Sequence, residues 1–282
     1  MATWLINGPQ RLTLEGDVGR LDAWFVHGKL HVVGTEGPAR LEVTKVGRKG
    51  ITVTLDDGVL SVRHPVKPGW WGLPWWFGGG RRNYTAEIVI AVPPTAAASL
   101  TMIAGSVVAS GLRRGATVDV TSGSIRVMGL GGTVRTKTMS GSIEAMGVAG
   151  DLSMETVSGE ILLAESPAER VRARTISGSV TCDLDNPFAH DVHIDTTSGS
   201  ITVRVPEDAD LDVTLGATSG RVTSAFPQVR GSGMPGVRHA YGRIGSGSGT
   251  LRAYALSGSV SLLSRPADDL GPFEAEPGEG SV

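Results

Sequence analysis

The chain has 282 residues, 40% of them hydrophobic and 19% charged, with 40 glycines, 15 prolines and a net charge of −2. That length and apolar content support a buried core and exclude wholesale disorder, and the absence of a Gly-X-Y period excludes collagen. The near-neutral balance gives no electrostatic case for nucleic acid, and the single cysteine, Cys182, excludes an internal disulfide and a multi-thiolate metal site.

The chain opens Met1-Ala-Thr-Trp-Leu-Ile-Asn-Gly-Pro9, with neither a basic region nor an apolar run of signal-peptide type. No stretch approaches the roughly 20 apolar residues of a membrane-crossing helix, so the expected compartment is the cytoplasm. From about residue 10, apolar residues alternate with polar ones on both sides of glycines. Around Gly28 stand Leu21, Ala23, Phe25, Leu30 and Val32; around Gly58 stand Ile51, Val53, Leu55, Leu60 and Val62. Period-two alternation about a glycine predicts two half-buried strands joined at a corner.

The segment Lys67-Pro-Gly-Trp-Trp-Gly-Leu-Pro-Trp-Trp-Phe-Gly-Gly-Gly-Arg-Arg82 interrupts that pattern. Trp70, Trp71, Trp75 and Trp76 fall close together with Leu73 and Phe77, and glycine and proline deny the segment a regular strand or helix. Tryptophan favours the membrane interface, and Lys67, Arg81 and Arg82 suit anionic headgroups, so a shallow membrane anchor is the leading reading. Two others stay open: the segment folds back over an exposed end or flank of its own sheet, or it is a protein-binding hot spot.

After Gly105, flanked by Leu100, Met102, Val107 and Ala109, one phrase recurs. Thr121-Ser-Gly-Ser-Ile125, Met139-Ser-Gly-Ser-Ile143, Val157-Ser-Gly-Glu-Ile161, Ile176-Ser-Gly-Ser-Val180, Thr197-Ser-Gly-Ser-Ile201, Thr218-Ser-Gly-Arg-Val222 and Leu256-Ser-Gly-Ser-Val260 share it. Their glycines, Gly123, Gly141, Gly159, Gly178, Gly199, Gly220 and Gly258, are spaced 18, 18, 19, 21, 21 and 38 residues apart. A period near 20 is that of a solenoid whose repeats bury a shared interior. The last interval reads as two periods carrying an insertion, with residues 225–249 as an irregular loop. Glycine at the corner suits a positive φ or a close approach by the next turn, and the serines before it are expected to hydrogen-bond nearby backbone.

The recurrent T-x-S-G-x-I/V corner and the block Gly242-Arg-Ile-Gly-Ser-Gly-Ser-Gly249 before Leu251–Leu263 resemble a bacterial β-strand-repeat domain of unknown function, which carries an adhesin label and is also called toastrack. The resemblance covers most of the chain. It implies the repeat architecture and a link to cell-envelope stress systems, and many members carry membrane segments.

Chemistry-bearing residues are sparse. His190 and His193 lie near Asp191 and Asp195, but the alternation turns His193 outward to solvent. Cys182 fills an inward slot and reads as a small core residue. Asp208, Asp210 and Asp212 alternate and read as a solvated face. The outward slots Arg126, Glu144, Leu162, Thr181 and Thr202 make no acidic column of the kind a polysaccharide-cleaving β-helix needs. The sequence therefore predicts no enzyme, no metal site and no cofactor.

The expected molecule is all-β: a β-solenoid of about ten rungs, two short strands per rung around a Ser-Gly corner, over residues 1–264. An acidic disordered tail, 265–282, follows. The expected function is a rigid interaction scaffold, with an anionic membrane surface or an envelope-stress protein as partner. A carbohydrate-binding or carbohydrate-processing β-helix is the first alternative. A filament, in which copies join through the solenoid ends, is the second.

Overall fold

Side chains at alternate positions are apolar through most of the chain, which suits a pleated strand with one face buried, and glycine, Asx or proline closes many of the runs. A computed structural model describes residues 2–65, 83–184, 191–234 and 237–265. They form 23 strands linked by hydrogen bonds into one sheet. In the N-terminal part these are β1 (Ala2–Ile6), β2 (Gln10–Thr13), β3 (Arg20–Gly34), β4 (Arg40–Val46), β5 (Ile51–Asp56), β6 (Val59–Arg63), β7 (Thr85–Val92) and β8 (Ala97–Ser110). The repeats supply β9 (Ala116–Met128), β10 (Thr133–Ser140), β11 (Ile143–Met146), β12 (Gly150–Ser158), β13 (Ile161–Ser166), β14 (Ala168–Ser177), β15 (Val180–Leu184), β16 (Asp191–Ser198) and β17 (Ile201–Pro206). The C-terminal part holds β18 (Leu211–Ser219), β19 (Val222–Ser224), β20 (Arg230–Met234), β21 (Val237–Ile244), β22 (Gly249–Ser257) and β23 (Val260–Arg265).

Successive repeats pair in parallel and in register. Thr138, Thr156, Thr175 and Thr196 form one inward column before the corner, and Ile143, Ile161, Val180 and Ile201 form another after it. Both columns are buried and face one continuous core. The corners stack as well. Each glycine has φ between +134° and +159° from Gly123 onward, and a Cβ there would strike the carbonyl oxygen of the neighbouring corner glycine. Its N–H donates to the next rung's serine carbonyl, as Gly141 does to Ser158 at 2.9 Å and Gly178 to Ser198 at 2.9 Å. Backbone thus makes the corner bonds, while the serine side chains form an exposed row.

The 19-residue repeat between Gly159 and Gly178 takes up its extra residue at Glu169, where the β12–β14 register shifts, and a second irregularity, with Glu165 at φ 47°, interrupts its pairing with β15. There the buried Ser166 hydroxyl accepts the Val148 N–H at 3.1 Å and donates to the Ala164 carbonyl.

Three features differ from the sequence reading. First, Gly58 is no corner. It closes the antiparallel β5–β6 hairpin with Asp57, both at positive φ. Alternation on either side of a glycine is common to hairpins and solenoid corners, so the pattern does not separate them. Second, stacking order departs from chain order. β22 pairs with β16 on one side and β18 on the other, so the Gly258 rung lies between those of Gly199 and Gly220. Third, residues 225–249 contain the β20–β21 hairpin, whose β21 runs antiparallel to β18 and covers that end of the stack.

The opposite end is built from two half-rungs laid on β3. β6 pairs with its first half and β7 with its second, both in parallel. Antiparallel β5 and β4 cover these half-rungs, and β1 and β2 lie outermost. With the corners of Gly28 and Gly105 joining the repeats, the stack has ten layers and a length of roughly 43 Å.

Candidate functional site

From β9 to β16 the outer face of the first strand in each rung carries charges that alternate in sign from layer to layer. Arg135 and Lys137 are followed by Asp151 and Glu155, then by Arg170, Arg172 and Arg174, then by Asp191 and Asp195. The register sets opposite charges side by side: Arg170–Asp151 at 2.7 Å, Arg174–Asp195 at 3.4 Å, Lys137–Glu155 at 3.6 Å and Arg172–Asp191 at 3.7 Å. Each exposed pair is worth little alone, but pairing with the next layer but one would set like charges together.

Toward the C-terminal end the alternation lapses and a groove opens. In register across it run Arg174, Asp195, Tyr254, Gly216 and His239. The second wall is Ile176, Thr197, Leu256 and Thr218, and the groove has a volume of about 300 Å³. Gly216 has a specific use here. A Cβ on it would lie 2.6 Å from the Tyr254 ring and 3.1 Å from His239 Nδ1, so only glycine lets the ring settle across the neighbouring strand. Ile176 and Leu256 are more than half exposed.

One row further along the strands stand Arg172, His193, Arg252, Thr214, Tyr241 and Arg230. His193 Nε2 lies 3.0 Å from Asp195, which also meets Arg174. Arg252 is exposed and forms no ion pair among the described residues.

Asp210 was grouped by sequence with Asp208 and Asp212 on one solvated face; its carboxylate is instead held by the Gly-Ser block. It accepts from Ser246 Oγ at 2.7 Å, the Gly247 N–H at 2.7 Å and Ser248 Oγ at 3.0 Å. These bonds, Ser246 foremost, hold its pKa down at about 2. Asp212 pairs with Arg243 at 3.0 Å. Cys182 is fully buried, and desolvation pushes its thiol up to about 12. Among the described residues, no three His, Cys, Asp or Glu side chains gather as metal ligands.

Lys67, Trp70, Trp71, Leu73, Trp75, Trp76, Phe77, Arg81 and Arg82 lie outside the described residues, as does His190. Their flanks do not. Arg63 is in register with Trp24 and Thr85 with His27, so the intervening chain leaves and re-enters where other rungs turn their corner. His64 pins this junction. Its N–H donates to the Trp24 carbonyl, its Nδ1 accepts the Val26 N–H at 3.1 Å, and its ring packs edge-on against Phe25 and Tyr84.

A family model described as Toastrack DUF4097 matches residues 33–263. No curated protein matches the chain. Among solved structures, a putative adhesin from Bacteroides fragilis is 14% identical, with 92% of this chain and 97% of that one covered and a TM-score of 0.49. A putative cell adhesion protein from Clostridium sporogenes is 11% identical over 91% of this chain and 100% of its own, with a TM-score of 0.27. A putative lipid binding protein from Parabacteroides distasonis is 11% identical over 91% and 97%, with a TM-score of 0.32. Likeness at this level assigns no function.

Proposed function

We propose that this chain, which belongs to the Toastrack family, is a non-catalytic scaffold that docks on an anionic membrane surface through the tryptophan-rich segment 67–82. The observation that carries the reading is the seat of that segment. Both of its flanks are locked in register on β3, and His64 ties one flank to the backbone of Trp24 and Val26 and to the ring of Tyr84. Whatever the segment contacts is therefore joined to a rod held by ten stacked layers. Its composition supplies the rest: interface-seeking tryptophans flanked by cations.

The surface proposed is the cytoplasmic leaflet, and the proposed protein partner there is a component of an envelope-stress system, as family membership suggests. Co-sedimentation with vesicles containing anionic lipid tests the reading. The native chain pellets, and a Trp70→Ala/Trp71→Ala/Trp75→Ala/Trp76→Ala variant of unchanged melting temperature stays in the supernatant. Equal pelleting of the two sinks it.

A further inference from the structure

The groove near the other end of the rod is centred on Tyr254, eight strands or roughly 38 Å along the stack from the β6 rung at His64. We propose that it binds an acidic polysaccharide, the Tyr254 ring taking the apolar face of a sugar and Arg252 its carboxylate. Four observations converge on that class of ligand. The Tyr254 ring is partly exposed and laid flat enough across the sheet that Gly216 must lack a side chain, which makes it a fixed aromatic platform. Beside it, Asp195, Arg174 and His239 supply polar groups in a groove otherwise lined by Ile176, Leu256 and threonines, the mixture by which a concave site orients a ligand that is half apolar and half hydroxylated.

The charge is the third. Asp195 is already occupied by Arg174 and His193, whereas Arg252, one position along the same face, has no carboxylate partner among the described residues. A planar guanidinium left unpaired beside an aromatic ring favours a carboxylate on the ligand. The fourth is extent. In the row from Arg172 to Arg230, Arg252 stands three strands from Arg230 and two from Arg172, which already meets Asp191, so a polymer with recurring carboxylates gains a contact at Arg230 that a single sugar acid on Arg252 does not.

The test is calorimetric titration of the full chain with polygalacturonate, with its methyl-esterified form and with polyphosphate. Polygalacturonate binds, more weakly as salt rises, and esterification weakens binding by about tenfold or more. Arg252→Ala and Tyr254→Ala each lose about tenfold in affinity, while the four-tryptophan variant binds as the native chain does. No binding of polygalacturonate, or equal binding of the ester, overturns the proposal, and both arms use the native chain. So does polyphosphate binding at least as tight as polygalacturonate and indifferent to Tyr254→Ala, which would mark bare charge attraction.

Discussion

A side chain on Gly141 would run into the carbonyl oxygen of Gly123, one layer below it. The same relationship recurs from Gly28 to Gly220. It fixes the distance between layers as much as the sheet hydrogen bonds do, because each corner closes only when the next presents no Cβ. The backbone there, at φ 134° for Gly141, is also one that L-residues rarely adopt.

Gly141→Ala should therefore cost on the order of 3 kcal/mol or more, since collision and backbone strain add. Gly129→Ala is the comparison. Gly129 also has positive φ, 58°, but nothing lies within 4 Å of its Cβ position, and about 1 kcal/mol is expected. Urea unfolding midpoints of the two variants read the difference.

His64 predicts an acid-sensitive junction. Burial lowers its pKa from 6.5 to about 4, against a raising contribution from the Thr85 backbone. The unfolded chain takes up this proton below pH 6.5 and the folded chain does not until about pH 4. Stability therefore falls as pH drops through that window, by on the order of 3 kcal/mol. His64→Asn retains an acceptor for the Val26 N–H and removes the titration. The protection factor of the Val26 amide should fall between pH 6.5 and 4 in the native chain, and not in the variant.

Asp210 predicts a clasp. Its carboxylate collects the Ser246, Gly247 and Ser248 donors, which fixes the entry to β22 beside β18. Because its pKa is depressed from 3.8 to about 2, the contribution is present above pH 3.8 and is lost as pH falls through about 2. Asp210→Ala should expose the Gly245–Gly249 block to protease at neutral pH. Asp208→Ala, a change at an exposed turn, should not.

Cys182 offers a clean reporter. With no exposure and a thiol pushed up to about 12, it should resist a thiol reagent in the folded chain and react fully after denaturation. Rapid labelling of the native protein would contradict the core position.

Much of this was legible in the residues. The inward slots of Ile161, Val180 and Ile201 follow from period-two patterning, and the stacked glycines follow from their recurrence. The misreading of Gly58 came from a pattern that a hairpin and a corner share. The place of the Gly258 rung was hidden for a different reason: its corner is chemically interchangeable with its neighbours, so sequence alone does not order the layers. That order is also what brings Tyr254 beside Gly216, 38 residues earlier in the chain, and so the groove was missed. A usable signal existed, a glycine in an outward slot whose equivalents are charged or aromatic. The capture of Asp210 by Ser246 likewise spans 36 residues, and only the glycine-serine block hinted at it.

Paired cysteines on the exposed serine row read the layer order directly. In a Cys182→Ala background, Ser198→Cys with Ser257→Cys places thiols on adjacent strands about 4.8 Å apart, whereas Ser198→Cys with Ser219→Cys places them about two layers apart. Mild oxidation should join the first pair and leave the second as free thiols. A disulfide between positions 198 and 219, with none between 198 and 257, would mean that the last layers follow chain order and that Tyr254 does not lie beside Gly216.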